Sequence, residues 1–153
     1  FDSAVTAILH SNPNHQLLPQ QITPFKIISV DCEGNFTTFS PELLGLKGPE
    51  YQNFILGNVL RDGIVDATTH EPFISMNRDI NAGIKRCKKT CQYFAYCGGG
   101  APVNKYFENG SFDSTETMFC RLTKKAVTDV VLAKLESVTA ETLVLSTEAS
   151  TQT

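Results

Sequence analysis

Four cysteines in the second half of the chain are the residues whose type and spacing most clearly indicate chemistry. They are Cys87, Cys91, Cys97 and Cys120. Four thiolates brought to one point hold a metal, and a tetrathiolate takes either zinc or an iron-sulfur cluster. The sequence therefore predicts a metal site with these four residues as ligands.

The spacing of the four cysteines favours a cluster over a zinc ion. Zinc ribbons and fingers use pairs of cysteines two residues apart. In this chain three residues separate Cys87 from Cys91, five separate Cys91 from Cys97, and 22 precede Cys120. A cubane cluster is larger and accepts three ligands from one winding loop and a distant fourth. A zinc-binding interaction module, with the same four cysteines as ligands, remains the alternative.

Two other interpretations of the cysteines remain open. The chain has five cysteines, so a secreted disulfide framework would leave one thiol unpaired. Buried, chemically inert cysteines are the other interpretation, which suits Cys32 because it lies apart from the other four.

The residues around the cysteines suit a cluster, although each set also has a simpler explanation. A run of three glycines would let backbone N–H groups approach inorganic sulfide, or would form a flexible turn. Aromatic residues between two cysteines would exclude water or belong to the core, and basic residues beside Cys87 would balance negative charge or form a solvated face. The three sets are Gly98, Gly99 and Gly100; Tyr93, Phe94 and Tyr96; and Lys85, Arg86, Lys88 and Lys89.

The composition is that of a globular protein without a basic field. The 153 residues are 41% apolar and 19% charged, with a net charge of -3, so neither nucleic acid nor a membrane is an expected partner. The chain has no apolar run of transmembrane length and its first residues lack signal-peptide features, so we expect a cytoplasmic protein. Because it opens on Phe1 without an initiator methionine, we expect a part of something longer. No catalytic residue is predicted, since its three histidines have no Cys/His or Ser/His motif context.

Local patterns predict that the cysteines are positioned by a small α+β domain. A helix over residues 2–10, a β-hairpin turning at Cys32-Glu33-Gly34-Asn35 and a short strand within FILGNVL come first. A helix over residues 71–86 and one or two helical turns in PVNKYFENG follow.

A longer helix is predicted to carry Cys120 in its first turns. Ser114 or Thr115 would cap it, and it would end at about Glu136. The positive end of its dipole would favour a thiolate at Cys120. Its apolar face would consist of Val127, Val130, Val131 and Leu135, and a disordered Ser/Thr-rich tail would follow.

Three segments of the chain carry a family resemblance. They are SVDCEGNFTTFSPELLG, FILGNVL, and CKKTCQYFAYCGGGAPVNKYFENGSF followed by TETMFCRL. Together they resemble the SPASM extension at the C-terminus of radical S-adenosylmethionine peptide maturases, and are most similar to the branch that forms cyclophane cross-links in glycine-rich-repeat precursors. The resemblance covers residues 23–137 and implies a small iron-sulfur domain with a β-hairpin, a cysteine-rich loop and a C-terminal helix.

The resemblance implies one auxiliary 4Fe-4S cluster. The four cysteines match the ligands of the family's second auxiliary cluster, although the first gap is three residues where two are usual, and the three glycines would lie beside the cluster without binding it. The ligands of the first auxiliary cluster are absent, because Ala101 and Phe39 stand where two of its cysteines would fall and residues 18–24 contain none. Cys32 matches no ligand position.

The resemblance also implies partners for this chain. Residues 1–22 would link it to a preceding barrel domain, which binds S-adenosylmethionine and a second 4Fe-4S cluster through a three-cysteine motif that this chain lacks. Residues 23–137 would be the cluster domain and residues 138–153 a tail. The barrel and a precursor peptide would be the partners, the cluster would transfer electrons or hold structure, and the chain alone would be inactive. A stand-alone ferredoxin-like electron carrier is a second alternative.

Overall fold

A computed structural model describes residues 19–150 of the protein, with side chains to residue 139. Three strands, β1 (Ile28–Val30), β2 (Asn35–Thr38) and β3 (Gly57–Asn58), form an antiparallel sheet in the order β1-β2-β3. This confirms the predicted hairpin and the predicted strand within FILGNVL. The α+β class is confirmed as well, because helices account for most of the remaining regular structure. The helix predicted over residues 2–10 lies outside the described residues.

The hairpin turn is stabilised by a glycine with positive φ and by hydrogen bonds to an aspartate side chain. Gly34 adopts a φ of 86°, which a glycine reaches without steric cost. The Asp31 carboxylate accepts hydrogen bonds from the backbone N–H groups of Glu33 and Asn35 at 2.9 and 2.8 Å. In the resulting register Ser29 lies opposite Thr37.

The helices follow the sheet in chain order and carry the cysteines. They are α1 (Glu71–Thr90), α2 (Phe94–Cys97), α3 (Pro102–Asn109), α4 (Met118–Cys120) and α5 (Ala126–Ser150), with a π-helical turn (Arg121–Lys125) between α4 and α5. Short 3₁₀ turns lie at Gln20–Ile22, Pro41–Leu43, Pro49–Phe54 and Asp66–Thr69. Within residues 19–150, no helix has both the length and the apolar character needed to cross a membrane.

The two predicted helices nearest the cysteines are confirmed. Helix α1 starts at the predicted residue and runs one turn beyond the predicted end, and its apolar stripe is buried at Phe73, Met76 and Ile80. Helix α3 ends at Asn109, where Gly110 takes the left-handed conformation that closes a helix.

The boundaries predicted for the last helix are wrong. The cap is Thr117 rather than Ser114 or Thr115, because the Thr117 side chain accepts a hydrogen bond from the Cys120 N–H. The helical chain continues to Ser150, past Glu136 and into the segment predicted to be disordered, and residues 137–150 contain no glycine or proline that would stop it. On the predicted apolar face Val131 is buried, whereas Val130 is 65% exposed.

An aromatic cluster in the core joins helix α3 to the 3₁₀ turn Pro49–Phe54. The four rings are those of Tyr51, Phe54, Tyr106 and Phe112. All six ring pairs have centroids 5.0 to 6.1 Å apart, within the range of favourable aromatic contacts. Because Tyr106 lies on α3 and Phe112 follows it, the cluster holds the chain that leads towards Cys120.

Two tyrosines of this aromatic cluster predict an alkaline loss of stability. Tyr51 donates to Asp79 Oδ2 at 2.9 Å, and Tyr106 donates to Glu50 Oε1 at 2.7 Å. Burial, and then these carboxylates, raise the pKa of both phenols above the ordinary 10.0, that of Tyr106 to about 12. The neutral phenols therefore contribute stability that is fully present below pH 10.0 and is lost as pH rises through the folded pKa values.

Urea denaturation at stepwise pH should show the free energy of unfolding falling above about pH 10. In a Tyr51→Phe/Tyr106→Phe double variant the fall should be shallower, because neither phenol remains to ionise. An equally steep fall in the double variant would show that other groups cause it.

Candidate metal centre

All four predicted ligand cysteines line a single cavity of about 370 Å³. Helix α1 supplies Cys87 in its last turn, and Cys91 follows directly where the helix ends. Cys97 is the last residue of α2, and Cys120 is the last residue of α4. The structure therefore brings together residues that lie up to 33 positions apart in the sequence.

The loop from Cys91 to Gly100 is held by a succession of backbone hydrogen bonds. Cys91 N–H donates to the Cys87 carbonyl at 2.9 Å, and Cys97 N–H donates to the Tyr93 carbonyl at 2.9 Å. All three residues of the run from Gly98 to Gly100 have left-handed φ values of 70°, 107° and 73°, which side chains disfavour. This run turns the chain sharply after Cys97, so that the Gly99 carbonyl accepts from Cys87 Sγ at 3.9 Å.

Helix α4 is fixed at its start by two side chains that the sequence patterns do not single out. The Thr117 hydroxyl accepts from Cys120 N–H at 3.0 Å, and Thr117 is 5% exposed. The Glu108 carboxylate on α3 accepts from the N–H groups of Met118 and Phe119. The π-helical turn follows Cys120 directly, and such turns are frequent at functional sites. The Thr117 and Glu108 side chains thereby fix the helical turn that carries Cys120.

The four cysteines line the cavity but are not gathered at one point. Among the described residues, no three or more His, Cys, Asp or Glu side chains are gathered closely enough to hold a metal ion as they stand. A tetrahedral zinc site would need sulfurs about 3.8 Å apart, given zinc-sulfur bonds of about 2.3 Å. The structure thus places the four cysteines around one cavity without the close approach of a zinc site.

The surroundings of Cys120 favour its neutral thiol. Burial raises the pKa of the Cys120 thiol, and the neighbouring Cys97 and Cys91 raise it further. Lys125 and the Thr117 cap oppose this shift in pKa but do not outweigh it. The helix dipole that we expect to favour a thiolate at Cys120 is therefore opposed by desolvation, which favours the neutral thiol.

Three lysines line the cavity, and they are not the basic residues that the sequence indicated. Lys105 is 4% exposed, and its Nζ donates to Cys87 Sγ at 3.4 Å. Lys125 pairs with Glu116, and Lys124 lies over the Tyr96 ring at 5.5 Å. The basic residues flanking Cys87 in sequence are exposed and lie outside the cavity lining: Lys85, Arg86, Lys88 and Lys89.

Comparison with known proteins adds one relative. It is an uncharacterised protein, sll1766, of Synechocystis sp. (strain ATCC 27184 / PCC 6803 / Kazusa), 50% identical over 113 residues. The match covers 74% of this chain but 28% of the relative, whose length is therefore about 400 residues. No family model and no solved structure matches the chain. The relative's name states no function.

Of the aromatic residues between Cys91 and Cys97, one faces the cavity. Phe94 is buried and lines it. Tyr93 instead donates to Asp129 Oδ1 at 2.6 Å and so ties this loop to α5. Phe94 therefore lies in the cavity wall, as does Phe119 of α4, which is 50% exposed.

Of the remaining candidate site positions named from the sequence, those that the structure describes lie away from the cavity, except Ala101, which lines it but has no side-chain atom that can bind a metal. Cys32 is exposed in the hairpin turn. Phe39 is fully buried in the core, and Ala101 lines the cavity. His70 is exposed, with Nδ1 3.1 Å from the Leu56 carbonyl, and the other two histidines lie outside the described residues.

Proposed function

We propose that this chain is the auxiliary-cluster domain of a radical S-adenosylmethionine enzyme that forms cyclophane C–C cross-links in a ribosomally made peptide. Cys87, Cys91, Cys97 and Cys120 would hold one 4Fe-4S cluster. The observation that carries the proposal is that these four cysteines, and not Cys32, line one cavity. A bound cluster supplies one-electron transfer.

The size of the cavity supports a cluster over a single ion. Its volume is about 370 Å³, whereas one ion bound by four thiolates would need the walls to meet. Backbone turns set the positions of Cys91 and Cys97, and the Thr117 cap sets that of Cys120. A larger inorganic group requires less rearrangement of these turns.

The charge of the cavity supports an anionic group. Among the described lining residues, three lysines face one carboxylate, Glu116, which is already engaged by Lys125. A cluster with four thiolate ligands carries net negative charge. The lysines would offset that charge, and the buried Phe94 would limit water around it.

Ligation by four cysteines points to electron transfer or structural support as the role. A site that binds substrate keeps an open coordination position, as catalytic zinc sites do. Cys87, Cys91, Cys97 and Cys120 would leave none. The peptide would be bound elsewhere in the protein, together with the barrel domain and its S-adenosylmethionine.

The length of the Synechocystis relative supports a larger parent protein. About 290 of its residues lie outside the match, and a (β/α) barrel takes about 250. The barrel would carry the three-cysteine motif that is absent from this sequence. The activity of the whole protein is part of the proposal.

The parent activity can be tested without knowing the peptide. The full-length Synechocystis relative, reconstituted anaerobically and given S-adenosylmethionine and dithionite, should form 5'-deoxyadenosine. The 153-residue chain, treated in the same way, should form none. The absence of 5'-deoxyadenosine from the iron-loaded relative would contradict the proposal.

A further inference from the structure

A buried lysine beside one predicted ligand has no carboxylate partner in the described part of the chain. Lys105 lies on α3, is 4% exposed, and places Nζ 3.4 Å from Cys87 Sγ. Within residues 19–139, the ion pairs involve other cations. Because burying an ammonium is costly unless an anion or hydrogen bonds compensate, negative charge near Nζ would stabilise the fold.

A glycine on α1 leaves the space that this ammonium group occupies. A Cβ at Gly83 would lie 3.2 Å from Lys105 Nζ, 2.3 Å from the Phe112 carbonyl oxygen and 3.0 Å from that of Ser114. Gly83 therefore lets α1 approach the Phe112 backbone and the lysine head. Gly83 and Cys87 are one helical turn apart, so the ammonium lies along the face of α1 that carries the sulfur.

The other two cavity lysines are compensated and more exposed. Lys125 forms an ion pair with Glu116, and Lys124 lies over the Tyr96 ring. Both are half-buried, so solvent screens their charge more than that of Lys105. Lys105 is thus the cation that would act most strongly on a group held by the cysteines.

We propose that Lys105 is the buried counter-charge of the cluster, donating an N–H···S hydrogen bond to Cys87 and raising the reduction potential. This inference rests on the proposed function, because it requires a cluster at the four cysteines. Reduction adds one electron and hence negative charge to the cluster, and a fixed positive charge in a low-dielectric site stabilises the reduced form more than the oxidised form. Hydrogen bonds to ligand sulfurs act in the same direction.

Substitutions at Lys105 distinguish the effect of its positive charge from the effect of its size. Lys105→Met keeps the length of the side chain without charge, Lys105→Gln keeps an N–H donor, and Lys105→Arg keeps the charge. Lys89→Met removes an exposed lysine outside the cavity lining and is the matched control. Each protein is purified anaerobically, its iron and sulfide are measured, and its midpoint potential is determined by a dithionite titration followed in the visible spectrum.

The expected order of midpoint potentials is wild type and Lys105→Arg highest, Lys105→Gln lower and Lys105→Met lowest, with Lys89→Met equal to wild type. If Lys105→Met holds no cluster, the midpoint potential of Lys105→Gln is compared with that of wild type. A lower value in Lys105→Gln supports the inference. If neither neutral variant holds a cluster but Lys105→Arg does, and circular dichroism shows both neutral variants folded, the requirement for positive charge is supported.

Three results would overturn the inference. One is a cluster of unchanged potential in the neutral variants, and another is a shift of equal size in Lys89→Met. The third is loss of the cluster from Lys105→Arg as well, which would assign Lys105 a steric role. Failure of the proposed function looks different, since wild type itself would then contain no iron.

Discussion

Replacing Cys120 with alanine should lower the iron content of the anaerobically purified chain by more than about tenfold, whereas Cys32→Ala should leave it unchanged. Loss even of residues that only support metal ligands costs about 10- to 100-fold in affinity, and loss of a ligand should cost at least as much. Cys120 lines the cavity and its backbone is fixed by Thr117, so no other thiol takes its place. Cys32 is exposed in the hairpin turn.

Iron analysis of both variants beside wild type makes this measurement, with circular dichroism to show that each is folded. Cys97→Ala provides a second variant, since Cys97 lines the same cavity from α2. A folded Cys120→Ala or Cys97→Ala protein with the iron content of wild type would remove that residue from the ligand set. A loss of iron in Cys32→Ala would add a ligand that the structure places elsewhere.

Replacing Phe112 with alanine should lower the free energy of unfolding by about 3–5 kcal/mol, the usual cost of removing a fully buried phenylalanine. Phe112 is 0% exposed and contacts the rings of Tyr51, Phe54 and Tyr106. Its backbone also packs against Gly83, so the cavity left by alanine has little means of collapsing.

Phe107→Ala is the control for the Phe112 variant. Phe107 lies on the neighbouring helix α3 but is 71% exposed, so its removal should change the free energy of unfolding by no more than about 0.5 kcal/mol. Urea denaturation of wild type and both variants, under identical anaerobic conditions, makes the comparison. Equal effects of the two substitutions would show that the aromatic cluster does not hold the core as described.

The elements with strong local patterns could be predicted from the sequence. Helix α1 follows from the spacing of Phe73, Met76 and Ile80 after Pro72, and the hairpin follows from two β-rich runs around Gly34. Both patterns act within a few residues, where propensity and periodicity carry the information. The cap of α4 is harder to predict, because a serine and two threonines between residues 114 and 117 are all acceptable caps and tertiary contacts select among them.

The sequence predicts that the four cysteines lie together, and the structure shows that they line one cavity. The buried charge beside them, that of Lys105 on α3, was not predicted. Lys105 occupies an inward position on a short amphipathic helix, between the buried Val103 and the partly buried Tyr106. The available signal was a lysine between Val103 and Tyr106 in PVNKYFENG, a segment predicted to be helical. The exposed lysines next to Cys87 are closer in sequence, but the turn of α1 carries them away from the cavity.

The most direct test of the central claim is the content of iron, acid-labile sulfide and zinc per chain after anaerobic purification. The account predicts about four iron and four sulfide per chain, and a visible absorption band that bleaches with dithionite. Colourless protein with about one zinc per chain would contradict it, because the four cysteines would then close around a single ion.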